Sequence, residues 1–438
     1  MNNRIEHYLY SDMASELYKS AKQKQTPPFH LTGNPLHDSG FSYSEHYVDR
    51  IRTEKLVVAT EEAANVLGKS IGTYYTVHTG DIRLHADSQY HACTEAILCA
   101  LTDALRQLCP DFRIPSDPDK NNTFDGRTAD YGFDKGTVLP TEIDDPGELA
   151  WDKLSVSPEW DQGAHLYNAP PAAFMHDKAA EEIRADGEPY LAPMHDRTAV
   201  TDIPPCPASD LTPPRPMTVL AVGLGNPALT PDSLGPMCVS RLNITRHLIG
   251  SNCEGSGMHG LDSSMHRLCA VTPLVLGQTG IETLELVCGA VRAVKPDLVL
   301  LIDALAASEL GTLVRTVQIS TTGIHPGGGV GNKREALDRE SLGVPVMTVG
   351  IPTVISASTL IYRALEGAGL LPQEDEGTPY ATDGSEALLH RALASADAGY
   401  VAPKDIDASV AEFAHLLAHC INSVFLGPAY AESWHSRA

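Results

Sequence analysis

Two short runs without a single polar side chain constrain this chain more than any other feature. They are Val219-Leu220-Ala221-Val222 and Leu298-Val299-Leu300-Leu301-Ile302. A strand that is apolar at every position must be covered on both faces, which is the mark of a strand inside a parallel sheet flanked by helices. Each run ends in chemistry. The first breaks at Gly223-Leu224-Gly225-Asn226-Pro227, a turn cluster that lets backbone pass close to another group. Thr230-Pro231-Asp232 then reads as a helix start, with Thr230 as N-cap, Pro231 at the first helical position and Asp232 in the first turn. That helix is predicted to continue through Val239 and Leu242 to about His247. The second run is followed at once by Asp303. An Asp at the carboxyl end of a buried strand is costly unless it is paired, bound to a cation or used. Asp232 and Asp303 in one sheet can face each other across a cleft, the arrangement needed to share a proton and activate a water, or to hold a metal ion.

Around these runs the chain reads as strand 218–224, helix 232–248, an irregular stretch 250–278, helix 282–294 and strand 298–303, then strands near 314–320 and 346–350. Such alternation predicts an α/β fold, a mostly parallel sheet with helices on both faces. Residues 371–404 read as polar loop, and Ile406 to about Phe425 as an amphipathic helix packed on the sheet. Upstream, residues 1 to about 45 look like an exposed leader, and residues 15–110 form a small α+β part. In that part strands are predicted around Ile51–Val58 and Gly72–Val77, and an amphipathic helix over Ser88–Leu108. Between them, 111–216 is rich in Asp, Pro and Gly and reads as an acidic insertion, followed by a core over 217–438.

The net charge of −24 argues against direct binding of nucleic acid or an anionic membrane. The nine Cys are odd in number and form no CxxC, as expected of reduced thiols in the cytoplasm. No apolar run approaches the roughly 20 residues of a membrane span, and the first residues lack the apolar core of a signal peptide.

A third stretch, Ile319 to Arg334, reads ISTTGIHPGGGVGNKR. Its glycines form a loop able to approach a ligand backbone closely, with His325 placed to orient it or relay a proton. Taken together, GLGN-x-x-LTPDSLGP, GQTGIETLELV (277–287), KPDLVLLIDALAA (295–307), QISTTGIHPGGGVGNKR (318–334) and LGVPVMTVGIPTVISA (342–357) resemble the spore germination protease family. The likeness is strong over 218–357 and weaker over 50–110 and the last helix.

The resemblance implies an atypical aspartic endopeptidase, without a cofactor, whose essential pair falls on Asp232 and Asp303. His325, Asn226, Thr230 and Lys333 are the candidate supporting residues. The helix start at Asp232 favours its ionised form as base, with Asp303 as the protonated partner. The resemblance further implies a homotetramer in the spore core that degrades the small acid-soluble proteins coating spore DNA. It also implies a zymogen that cuts itself. Ser11-Asp12-Met13-Ala14-Ser15-Glu16 matches the substrate motif of an acidic residue, an apolar residue, Ala, then Ser-Glu. Cleavage is therefore expected between Ala14 and Ser15, with 1–14 as propeptide. The chain departs from the family at Ser308, where a basic residue is usual, and at Thr321, where Asp is usual. The core is expected to be like that of hydrogenase-maturation proteases, in which carboxylates and a His bind metal. This leaves a metal-dependent endopeptidase, with a divalent ion on Asp232, Asp303 and His325, as one alternative. An inactive homologue acting as a binding protein is another.

Overall fold

The computed structural model describes residues 11–24, 40–115, 216–248, 265–327, 334–370, 385–396 and 399–427. Lys333 and most of the acidic insertion lie outside the described residues. In chain order the elements begin with α1 (Ala14–Lys24), β1 (Phe41–Val48), β2 (Ile51–Val58), α2 (Glu61–Leu67), β3 (Gly72–His78) and α3 (Asp87–Leu108). After the insertion come β4 (Thr218–Gly223), α4 (Leu234–Val239), β5 (Arg267–Val271), α5 (Leu276–Thr279), α6 (Thr283–Val294), β6 (Leu298–Ala307) and β7 (Thr316–Ser320). The chain continues through α7 (Arg339–Leu342), β8 (Val346–Ser356), α8 (Ala357–Gly367), α9 (Ser385–Ala396), β9 (Tyr400–Val401) and α10 (Ile406–Leu426).

The strands join in one sheet of order β1-β2-β3-β7-β8-β6-β4-β5, with β9 paired to β8. The α/β class holds, and the parallel part is the half built from β8, β6, β4 and β5. The N-terminal strands are no separate layer. They extend the same sheet antiparallel, through β3 on β7 and β7 on β8. One face is sealed by α3, α4 and α10 over Val219, Ala221, Leu300, Ile302 and Val349. The helix α10 is long and apolar enough to cross a membrane, but 78% of its most apolar 18-residue stretch is buried inside the protein, so its apolarity is accounted for by the core. Phe112, in the first residues of the predicted insertion, stacks on His266 with ring centroids 5.0 Å apart in the same core.

Among the described residues, helices cover the other face at its two ends. Beyond β4, α6 and α7 pack on Leu220, Val222, Val299 and Leu301. Over β2 and β3, α1 and α2 pack on Leu56, Val58 and Tyr74. Register places Tyr74, Ser320, Thr348 and Leu301 on this face in one row, and Thr76, Gln318, Gly350 and Asp303 in the next. Between the two helical covers lies a cavity of about 450 Å³, lined among others by Lys69, Leu305, Gln318, Thr348, His325 and Asp12.

Several expectations change. The helix predicted over 232–248 is a single 3-10 turn, Thr230–Asp232, followed by the short α4. Tertiary pairing ends it: Asn243 N–H donates to Asn422 Oδ1, and the N–H groups of Thr245 and Arg246 to Leu268 O. Within the stretch read as irregular, β5 adds to β4. Within the polar loop 371–404, α9 forms. Within the supposed exposed leader, β1 forms and residues 13–16 are buried.

Candidate active site

Two sharp chain reversals bring the carboxylates together. Leu224 N–H donates to Ile302 O at 2.9 Å, which fastens the turn after β4 to β6 one residue before Asp303. Gly225 then adopts φ +108°, and a Cβ there would lie 2.0 Å from Asp232 O. Gly235 is pressed as closely: its Cβ would meet Leu224 O at 2.3 Å and Ile302 O at 2.5 Å. So the group that the glycine cluster lets the backbone approach is the Asp232 turn itself.

Asp232 is partly exposed, and its Oδ2 accepts a hydrogen bond of 2.8 Å from Asn226 N–H. Asn226 serves the site through its backbone, while its Oδ1 receives Ala228 N–H and Gln278 Nε2. Thr230 is not the N-cap: Leu229 is, and the Thr230 carbonyl takes Ser233 N–H and Ser233 Oγ–H instead. The helix-dipole argument for an ionised Asp232 therefore lapses, because Asp232 ends a 3-10 turn. Burial raises its pKa and the Asn226 N–H lowers it.

Asp303 is not at a strand end but sixth in the ten residues of β6. It sits where β4 stops, since β4 pairs with β6 only to Gly223 beside Ile302, while Gly350 of β8 remains beside Asp303. Gly350 leaves it room, as a Cβ there would be 2.5 Å from Asp303 O. Asp303 is 5% exposed, and Oδ1 accepts Ala304 N–H at 2.9 Å. Burial drives its pKa well above the carboxylate range, and the charges of Asp232 and Asp12 push it further. The two carboxyls thus differ. Asp303 has the environment of a protonated acid, and Asp232, more exposed and held by an N–H, that of the carboxylate.

His325 lines the cavity but is exposed, with Nδ1 3.4 Å from Arg334 O. Among the described residues no three His, Cys, Asp or Glu side chains converge as a metal ion requires, so Asp232, Asp303 and His325 do not fit as a donor set.

What the motifs did not show is that the N-terminal segment occupies the uncovered strip of the sheet. Asp12 N–H donates to Ala306 O at 2.8 Å, and Ala306 N–H to Asp12 Oδ2 at 2.9 Å. The Asp12 carbonyl accepts from Lys69 Nζ at 2.9 Å and Gln318 Nε2 at 3.1 Å. Ala14 N–H donates to Gln318 Oε1 at 2.9 Å, and Thr76 Oγ1 to Ser15 Oγ at 3.0 Å. Glu16, 2% exposed, is held by Ser308 N–H at 2.7 Å, Ser308 Oγ at 2.8 Å, Ser11 Oγ at 2.6 Å and Thr312 Oγ1. Lys19, one turn on, pairs with the buried Glu54 at 2.6 Å. The Ala14–Ser15 bond lies at the start of α1, over β3 and β7, with β8 between β7 and β6. At strand spacings of about 4.8 Å this places it roughly 10–14 Å from Asp303.

Comparison with known proteins follows these residues. The family model of germination proteases matches residues 212–366. The germination protease of Clostridium perfringens (strain SM101 / Type A) is 39% identical over 219 residues, which cover 48% of this chain and 66% of that protein. That of Clostridium acetobutylicum is 42% identical over 199 residues, 42% of this chain and 59% of the relative. That of Geobacillus sp. (strain WCH70) is 48% identical over 141 residues, 32% and 37%. The chain thus spans 66% or less of the length of these curated relatives. Among solved structures, the nickel–iron hydrogenase maturation protease HycI from Thermococcus kodakarensis KOD1 aligns with a TM-score of 0.23 and 16% identity, over 47% of this chain and 93% of that one. The resemblance to germination proteases read from the motifs is borne out.

Proposed function

We propose that this chain is an endopeptidase of atypical aspartic type that degrades small acid-soluble spore proteins during germination, and that it is made as a zymogen. The observation that carries the reading is the pairing of a buried Asp303 with a more exposed, N–H-bound Asp232, Asp303 lying on the strand, β6, that already holds the chain's own Asp12 at Ala306. Asp232, as carboxylate, takes a proton from a water as it attacks the scissile carbonyl. Asp303, as acid, gives its proton to the carbonyl oxygen; as the tetrahedral intermediate collapses, Asp232 passes the water-derived proton to the leaving nitrogen and Asp303 takes a proton back from the gem-diol hydroxyl, which restores the pair. In the low-dielectric strip one shared proton serves both roles, because two ionised carboxylates so placed repel each other. Gly225 and Gly235 fix the separation of the pair, and the Asn226 N–H favours the ionised form of Asp232 against the burial that raises its pKa.

Activation is cleavage between Ala14 and Ser15. In the present arrangement that bond is helical and away from the pair, so the first turn of α1 must open before it is cut. The homotetramer and the spore core are part of the same reading, drawn from the family resemblance. The test is the intact mass of purified protein after incubation at mildly acidic pH, beside Asp303→Asn. Loss of residues 1–14 in the parent alone is expected. Equal cleavage in both would remove Asp303 from the mechanism, and an intact parent that also spares a substrate peptide would support a binding protein.

A further inference from the structure

β6 outruns its neighbour. β8 accompanies it to Ala307, but β4 leaves it at Ile302, so from Asp303 to Ala307 one edge of β6 carries no strand among the described residues. Ile302 O, which accepts Leu224 N–H, faces the β4 side. By the alternation of a strand, Ala304 turns its N–H and C=O to that open edge. The next N–H groups along β6 that are free of strand partners are taken by carboxylates: Ala304 N–H by Asp303 Oδ1 and Ala306 N–H by Asp12 Oδ2. Asp12 completes the contact by donating its own N–H to Ala306 O, one backbone bond of an added strand, with its carboxylate standing in for the second.

Two spacings agree. Asp12 is three residues before the second residue of the Ala14–Ser15 bond, and Asp303 is three residues before Ala306. At about 3.3 Å per residue both distances are about 10 Å. We propose that the edge of β6 from Ala306 back to Asp303 is the substrate site, and that an extended peptide adds to it antiparallel, with its acidic residue where Asp12 now sits. The third residue of the motif then lies beside Ala304, and the bond after it faces Asp303. Lys69 Nζ and Gln318 Nε2, which hold the Asp12 carbonyl, fix the acidic residue, and an anion there offsets the burial that otherwise lowers the Lys69 pKa. This assignment rests on the proteolytic reading above. The chain's own segment follows the path only at Asp12, because Ala14 is drawn off to Gln318 and into α1. A free substrate carries no such tether.

The test uses full-length protein and three synthetic peptides, followed by mass. The parent is Tyr-Ser-Asp-Met-Ala-Ser-Glu-Leu. The second carries an N-methyl group on the Asp amide, which deletes the donor to Ala306 O. The third has the Asp moved one place toward its N-terminus. The parent is expected to be cut after Ala, and each altered peptide to lose at least about tenfold in kcat/KM. Altered peptides cut at the parent's rate overturn the site. A parent left whole by protein that has shed its own first 14 residues overturns the site alone. If neither is cut, the proteolytic reading falls and the site with it.

Discussion

Glu16 is the residue through which the docked segment can be released most simply. Replacing it by Ala leaves Ser308 N–H, in a residue 3% exposed, without the carboxylate it donates to at 2.7 Å. An unsatisfied buried donor costs about 1–3 kcal/mol. The Ser308 hydroxyl loses the same acceptor, whereas Thr312 Oγ1 keeps Glu309 O at 2.9 Å. Ser11 moves with the segment and finds water. The four hydrogen bonds are partly offset by the burial that raises the Glu16 pKa, so the donors left behind set the size of the effect. A loss near 3 kcal/mol raises the undocked population roughly hundredfold. The assay is trypsin cleavage after Lys19, whose ammonium is engaged by Glu54 while the segment is docked. Asp303→Asn serves as background, so that self-cleavage does not intervene. Where opening and closing are fast, the cleavage rate follows the open population. Glu16→Ala is expected to be cut about a hundred times faster, and Thr312→Val no more than about fivefold faster. Glu16→Ala cut within twofold of the parent would refute the view that this pocket holds the segment down.

Asp232→Asn and Asp303→Asn are each expected to cost at least about 10³ in kcat, since either removes half of a shared-proton pair; a peptide assay with residual activity above a tenth would refute the pairing. The kcat/KM profile should be bell-shaped, its acid limb set by ionisation of Asp232, raised by burial, and its alkaline limb by loss of the Asp303 proton, which burial raises much further. Stability follows the same sign. A carboxyl whose pKa is raised on folding contributes fully below its unfolded pKa, and that contribution is lost as pH rises through the folded value. Asp303→Asn, neutral throughout, should therefore melt higher than the parent at neutral pH, by about 1 kcal/mol or more, and lose that advantage in acid. Lys69→Met should raise KM for an acidic peptide about tenfold and leave kcat within twofold, as removal of a binding contact would. Gly235→Ala sets a methyl against Leu224 O and Ile302 O at 2.3 and 2.5 Å, backbone atoms that cannot yield, so it should cost about 3 kcal/mol in a thermal melt or abolish folding.

The chemistry of this chain was legible where local sequence and final environment coincide. Leu298–Ile302 is apolar throughout because both faces are covered, and an Asp placed straight after such a run announces itself. Thr218–Gly223 and Ile406–Leu426 are read correctly for the same reason. Where long-range bonds decide, the reading fails. Nothing near Asn243 or Thr245 shows that Asn422 and Leu268 take their N–H groups, so a helix to His247 is the natural prediction and an incorrect one. Asp303 looks like a strand end because it closes an apolar run, yet β6 continues through Ala304–Ala307, three of whose four residues are Ala and carry little strand signal.

The N-terminal segment is the sharpest case. Its polar letters read as solvent-exposed, because Asp12, Ser15 and Glu16 are residues that water usually satisfies. Here the protein satisfies them, through Ala306, Thr76, Ser308 and Thr312. A polar hexapeptide can be buried only against a surface already patterned with complementary donors and acceptors, since each mismatch would leave an unpaired group. The match seen over Asp12 to Glu16 therefore reports as much on the surface as on the segment. At Asp12 it supports the docking of an acidic residue proposed above, on the strand that carries Asp303.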